Sequence, residues 1–183
     1  MVASSTGLTA LLWLLIIDFM RNFTIGVIAL VLSSCSLFTP EYESGLEGKP
    51  LPDIALQPPN NKLFNTGTIT IGKPFVLFLF NPNCPYCQAQ TVDILNHIQD
   101  FQRFQVFMIA SDSSVIINKF TKYFQLDKYS NISVERDSTS QFINYFNAQG
   151  VPYLAFYDKY KKLKKVLPGK QDFPKIKQIL SEL

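Results

Sequence analysis

Apolar and polar positions follow two rhythms along this chain, and the change between them is sharpest near residue 84. Phe75-Val76-Leu77-Phe78-Leu79-Phe80 is an unbroken apolar run with the length and aromatic and β-branched content of a buried strand. It ends at Asn81-Pro82-Asn83. Beyond Cys84-Pro85-Tyr86-Cys87 the period becomes three, with Ala89, Val92, Leu95 and Ile98 predicting the inward face of a helix. The two cysteines therefore sit at a strand-to-helix junction. Pro85 suits the first helical position, where a missing N–H costs nothing, so Cys84 falls near the N-cap and Cys87 one turn inside. Unpaired N–H groups and the positive end of the helix dipole favour a thiolate at Cys84. Cys84 is the expected nucleophile and Cys87 the resolving thiol.

The same patterns place the other elements. Leu51 to Leu56 and Thr68 to Ile71 read as short strands around a turn-rich stretch, Pro58-Pro59-Asn60-Asn61. After the cysteine helix come a strand at Gln105 to Ala110, a helix at Val115 to Phe124, a short strand at Ile132 to Glu135 and a helix at Ser140 to Phe146. This alternation predicts an α/β fold. Tyr153 to Tyr157 and Leu163 to Leu167 form a hairpin about a turn at Asp158 to Lys161. Phe173 to Leu183 is a final amphipathic helix with Ile176, Ile179 and Leu180 on one face. No internal repeat or low-complexity segment interrupts the series.

The first 49 residues differ in kind. Leu8 to Ile17 and Phe23 to Leu32 are apolar, but Asp18, Arg21 and Asn22 separate them. Each is short for a bilayer span, which takes about 20 apolar residues, and joining them would bury charge in mid-span. Met20-Arg21-Asn22 reads as a start with a positive n-region, Phe23 to Leu32 as an h-region, and Leu32-Ser33-Ser34 as residues before a cleavage site. Cys35 follows immediately. Leu32-Ser33-Ser34-Cys35 resembles the lipobox of bacterial lipoproteins, which implies that Cys35 becomes the lipidated mature N-terminus. On this reading residues 1–19 are an upstream extension without structural role, 20–34 a signal peptide, 35–49 the lipidated cysteine and its tether, and 50–183 the folded domain. A hairpin or a single anchor helix is the alternative. Either way the domain faces an extracytoplasmic compartment, where disulfide chemistry is expected.

Composition narrows the function. The chain has 183 residues, 47% hydrophobic and 17% charged, enough for one ordinary globular domain. Its 17 basic and 14 acidic residues, net charge +3, are too balanced to point to nucleic acid. Lys159, Lys161, Lys162, Lys164, Lys165 and Lys170 do cluster, which for a hairpin usually marks a solvated or edge-protecting face. Three cysteines, with Cys35 far from the other two, make no disulfide framework. His97 is the single histidine and lies among Asp93, Asn96 and Asp100, so it is expected on a solvated face. Asn131-Ile132-Ser133 matches a glycosylation sequon and reads as chance.

Gly150-Val151-Pro152 completes a larger pattern. A proline at the head of a strand is unremarkable alone, because it lacks only an N–H that the ladder would use. With a strand, Cys-x-x-Cys and helix upstream and a hairpin plus helix downstream, the stretch from about Pro50 to Leu183 resembles the thioredoxin superfamily. The resemblance implies a central mixed sheet flanked by helices, with Pro152 cis and packed against the cysteines and Val151 pairing with a substrate chain. The 65 positions from Cys87 to Pro152 exceed a minimal thioredoxin and accommodate an inserted strand and helix, which resembles the redoxin and TlpA-like branch. Three residues depart from the family pattern. Asn83 replaces a tryptophan, Phe78 stands where thioredoxins place a buried acid, and Gln90 stands where many TlpA-like proteins carry Glu.

The resemblance implies a tethered thiol-disulfide oxidoreductase working through a redox-active Cys84–Cys87 disulfide, with Pro85 and Tyr86 as the active-site dipeptide and no other cofactor. Its expected partners are client proteins with thiols or disulfides and a membrane redox partner that resets the pair, and the protein is expected to be a monomer held to the membrane by its lipid. A peroxiredoxin-like thiol peroxidase is a second reading, although the Pro-x-x-x-Thr-x-x-Cys setting of peroxiredoxins is absent around Cys84. A non-catalytic metal-binding or sensing module is a third. Zinc prefers four ligands, and Cys84, Cys87 and a distant His97 do not supply them, so no metal is expected.

Overall fold

β3 (Phe75–Leu79) occupies the middle of the main sheet, and all five of its side chains are buried. A continuous apolar run folds this way because both faces of a central strand are covered. The computed structural model describes residues 18–20, 42–56 and 64–183, and Tyr42–Leu183 forms one compact unit. Of the first 41 residues, 18–20 alone are described, and they are helical. Most of the upstream extension, the signal stretch after Met20, Cys35, and the turn-rich 58–61 lie outside the described residues. Among those described, no helix is long and apolar enough to cross a membrane.

The sheet has the order β5-β4-β3-β6-β7, with β4 (Gln105–Ala110), β5 (Ile132–Arg136), β6 (Tyr153–Tyr157) and β7 (Leu163–Pro168). β3, β4 and β5 are parallel, while β6 and β7 run antiparallel to their neighbours. The parallel steps are bridged by α1 (Pro85–Asn96) and α2 (Ser114–Tyr123), and α3 (Gln141–Phe146) leads from β5 to β6. α4 (Phe173–Glu182) closes the chain. The sheet is therefore mixed and flanked by helices, with β5 at its edge.

Alternation along each strand divides the core in two. Val76, Phe78, Met108, Leu154 and Phe156 face α1, α2 and α4. Phe75, Leu77, Phe107, Tyr153 and Tyr157 face α3 and the N-terminal residues Ile54 and Leu56, with Phe75 stacked on Tyr157 at 4.8 Å. Aromatic pairs of this kind add to what burial alone contributes.

Four sequence expectations change. Thr68 to Ile71 is not a strand. β2 is Phe64–Asn65, paired with β1 (Ala55–Leu56), and Thr66–Thr68 is a 3-10 turn. Buried Thr66 decides this: its hydroxyl accepts from Ile54 N–H (2.8 Å) and donates to the Pro52 carbonyl (2.6 Å). Secondly, residues 42–49 of the expected tether belong to the compact unit. Gly48 N–H donates to the Leu163 carbonyl (2.7 Å), Leu163 N–H to Lys49 (3.0 Å) and Leu51 N–H to Lys161 (2.9 Å). This strap pairs with the first residue of β7 and the turn before it, so chain as well as lysine blocks that end of the edge. Thirdly, the lysines are not all merely solvated. Lys161 Nζ donates to the Gly67 carbonyl (2.9 Å), and Lys170 joins Asp93 (2.7 Å) to Asp172 (3.2 Å). Fourthly, α1 buries Cys87, Gln90, Thr91 and Ile94, leaving Ala89 and Val92 exposed.

Asn131 of the sequon is structural, since its Nδ2 donates to the Phe101 carbonyl (3.0 Å). Glu135 is the costly residue of β5. It is buried, Ser133 Oγ donates to its Oε1, and its Oε2 has no partner among the described residues. Burial holds its carboxyl above the ordinary 4.5. The neutral acid is thus favoured in the fold, so the penalty is absent below about pH 4.5 and grows as pH rises through the raised value. Glu135→Gln removes the buried charge, though not the unpartnered polar atom, and is expected to stabilise the protein at pH 7 and much less at pH 4. Denaturant unfolding at both pH values checks this, and an equal effect at each would remove the charge as the cause.

Candidate active site

The redox loop is built at the end of β3, where the ladder gives way to hydrogen bonds of a different kind. Phe80 N–H still donates to the Ile109 carbonyl (2.9 Å), but Asn81 N–H turns to Cys87 Sγ (3.5 Å). Asn81 Oδ1 accepts from Asn83 N–H (2.8 Å), and the Asn81 carbonyl accepts from Cys84 N–H (3.0 Å). An Asn-Pro-Asn sequence makes such a turn readily, because the Asn side chain caps the backbone two residues on. Cys84 is the N-cap of α1, with extended φ and ψ of −78° and 118°, and Pro85 opens the helix. Gln88 N–H donates to the Cys84 carbonyl (3.0 Å), completing the first helical bond.

Cys84 and Cys87 come within 3.4 Å, and both are free thiols. Their surroundings differ. Cys84 is partly exposed beside Tyr86, a side chain 66% exposed, whereas Cys87 is fully buried in the cluster that contains Phe78, Phe80 and Ile94. Burial pushes the Cys87 thiol up to about 12. The Asn81 N–H partly offsets this, and nearby Cys84 adds to the rise. Phe78, in the position of the family's buried acid, supplies no proton acceptor and only deepens the desolvation.

Across the loop, the Val151–Pro152 peptide bond is cis, Pro152 is buried, and Cys84 Sγ donates to the Val151 carbonyl at 3.8 Å. The structure thus brings Cys84, Pro85, Tyr86, Cys87, Val151 and Pro152 to one place. Gln90 stands one turn beyond Cys87, fully buried, but its Oε1 accepts from Gln171 N–H (2.8 Å) and its Nε2 has no partner among the described residues. It fastens the loop before α4 to α1. Sequence reading missed Asn81, Asp112, whose Oδ1 accepts from Asn81 Nδ2 (3.5 Å), and Gln171. Asn81 was signalled by its place before Pro82; the other two meet the site through tertiary contacts.

His97 lies outside this site. Its ring stacks on Phe173 at 3.6 Å, and its Nδ1 lies 2.9 Å from the Asp93 carbonyl. No group of three or more His, Cys, Asp or Glu side chains among the described residues could hold a metal ion.

Residues 69–183 match the thioredoxin-like domain family. The chain belongs to the thioredoxin-like family of redox proteins. No curated protein matches it. Among solved structures, it is similar to the exposed lipoprotein thioredoxin Etrx1 of Streptococcus pneumoniae strain TIGR4, at 24% identity, covering 72% of this chain and 100% of that one with a TM-score of 0.58. A secreted Mycobacterium tuberculosis disulfide oxidoreductase, homologous to E. coli DsbE, matches at 16% identity over 72% of this chain and 96% of its own, TM-score 0.61. Peroxidoxin BcpB of Mycobacterium tuberculosis matches at 16% identity over 75% and 97%, TM-score 0.64. At these identities the likeness establishes the thioredoxin-like fold, shared by disulfide oxidoreductases and peroxidoxins alike.

Proposed function

We propose that this protein is an extracytoplasmic thiol-disulfide oxidoreductase that exchanges disulfides with client proteins through Cys84 and Cys87. The observation that carries the reading is the pairing of a partly exposed N-cap thiol with a buried thiol 3.4 Å away, beside the Val151 carbonyl. Cys84 thiolate attacks one sulfur of a client disulfide, and the client's other sulfur leaves as a thiolate and takes a proton. Cys87 loses its proton and attacks the Cys84 sulfur, forming Cys84–Cys87 and expelling the second client thiol. Two electrons pass to the client, and the reverse sequence oxidises it. No further cofactor is needed. An extended client segment pairs with the backbone at Val151, with Pro152 and Tyr86 forming the walls beside it. The test is equilibration in graded glutathione buffers followed by thiol alkylation. The pair should titrate as one two-electron couple, and a pair that stays reduced throughout would sink the reading.

The tethering rests on Leu32 to Cys35, and a secreted oxidoreductase and an exposed lipoprotein thioredoxin with the same fold are consistent with it. Lipid attached at Cys35 would hold a monomer at the membrane, where a membrane redox partner resets the pair. Cys35→Ala is expected to abolish labelling by a radioactive fatty acid and release the protein into the soluble fraction. Labelling that persists would exclude this site.

A further inference from the structure

Asn81 bonds to three residues of the redox loop, Asn83, Cys84 and Cys87. Its N–H is the one N–H among the described residues that reaches Cys87 Sγ (3.5 Å). Its carbonyl holds Cys84 N–H (3.0 Å), its Oδ1 holds Asn83 N–H (2.8 Å), and its Nδ2 donates to Asp112 Oδ1 (3.5 Å) in the loop between β4 and α2. Cys87 has no exposed surface, so water cannot solvate a thiolate there and a fixed N–H must do so instead. The direction of that N–H depends on the peptide plane before Asn81, and the Asn81 side chain holds this turn from both sides.

We infer that Asn81 is a positioning residue for disulfide closure: its side chain fixes the backbone N–H that supports the Cys87 thiolate as it attacks the Cys84 sulfur. The inference rests on the disulfide-exchange reading for its biological step, but its chemistry is open to test without any client. The charged and titratable groups around the loop are few. Asp112 faces Asn81, Arg136 of β5 donates its Nε to the Asp112 carbonyl (2.9 Å), and Cys84 shares the loop. Phe78 of β3, Phe80 just beyond it, and Val151 and Pro152 before β6 bring no charge.

The experiment uses 5,5′-dithiobis(2-nitrobenzoate) on the reduced Cys35→Ala protein, whose remaining thiols are Cys84 and Cys87. Cys84 thiolate attacks the reagent, forming a mixed disulfide and releasing one thionitrobenzoate. Cys87 thiolate then attacks the Cys84 sulfur, forming Cys84–Cys87 and expelling a second thionitrobenzoate, so two phases separate the steps. Asn81→Ala is expected to leave the first phase nearly unchanged and slow the second about tenfold, the scale of one hydrogen bond to a charged group. Asn81→Asp keeps the Oδ1 acceptor but sets a carboxylate beside the thiolate and Asp112. Its second phase should shift upward in pH by about one unit, through like-charge repulsion. Thermal melting shows whether each variant is folded, and if Asn81→Ala is not, the near-isosteric Asn81→Asp decides. A second phase within about twofold of the unaltered protein, with an unmoved pH profile, overturns the inference. An unaltered protein with both phases that exchanges with no protein disulfide would instead overturn the exchange reading and leave Asn81 its role.

Discussion

Cys87→Ser is expected to hold the protein covalently to its clients, while Cys84→Ser captures none and loses exchange activity by at least about 10³-fold. The asymmetry follows from exposure. Cys84 stands partly exposed at the N-terminus of α1, where a client disulfide has access. Cys87 has no exposed surface, so it meets a sulfur only when Cys84 brings one to it. Without Cys87 the mixed disulfide has no intramolecular route to release. Non-reducing electrophoresis of cell extracts reads the result directly, as adducts that vanish on reduction. Equal trapping by both variants would reverse or abolish the assigned roles.

The second large effect is on the pH dependence of resolution. With the Cys87 thiol pushed up to about 12, chiefly by burial, its thiolate fraction at pH 7 is roughly one in 10⁵, five pH units below the midpoint. A raised value means that the reactive form gains as pH rises. The resolution rate should therefore climb about tenfold per pH unit from pH 7 upward and level off only near that value, unless a base intervenes. Neither Phe78 nor Gln90 is one. Gln90→Glu would keep the Gln171 N–H bond through one oxygen and put the other where the Nε2 donor now has no partner. One turn from Cys87, such a carboxylate is expected to accelerate resolution at pH 7 by about 10²–10⁴-fold and lower the pH at which the rate levels off. A carboxylate that stayed ionised without taking the proton would have the opposite sign, raising the thiol further and slowing the step. Rapid-quench trapping of the mixed disulfide over pH 6 to 9 separates the two outcomes. Fast resolution that is flat across that range in the unaltered protein would mean that another group removes the proton.

What the sequence by itself determined is local in origin. Five residues of the apolar run, Phe75–Leu79, became a central strand, since a short aromatic and β-branched run bounded by turn residues suits a strand buried on both faces. Pro85 after Cys84 placed the first cysteine at the N-cap, since a proline tolerates only the first helical turn. Gly150-Val151-Pro152 before an apolar strand marked the other wall of the site. The strands at Gln105–Ala110 and Tyr153–Tyr157 were legible to the residue, because an apolar run bounded by polar residues leaves little freedom in where it ends.

Only the tertiary structure decided which face of α1 turns inward. The period of Ala89, Val92, Leu95 and Ile98 was a weak signal, and the helix instead buries Gln90 and Thr91 beside Cys87 and Ile94. The Thr91 hydroxyl donates to the Cys87 carbonyl one turn back (2.9 Å), but Gln90 Oε1 is satisfied from a distant segment, by Gln171 N–H, and no local pattern records that partner. The strap from Tyr42 to Leu51 escaped for a related reason. It is held by main-chain bonds to Lys161 and Leu163, more than a hundred positions along the chain, and backbone groups carry no sequence signature. The proton balance of Cys87 is of the same kind. It depends on Phe78 and Phe80 closing over the thiol and on the Asn81 N–H turning toward it, and desolvation is a property of the packed interior rather than of any residue within it.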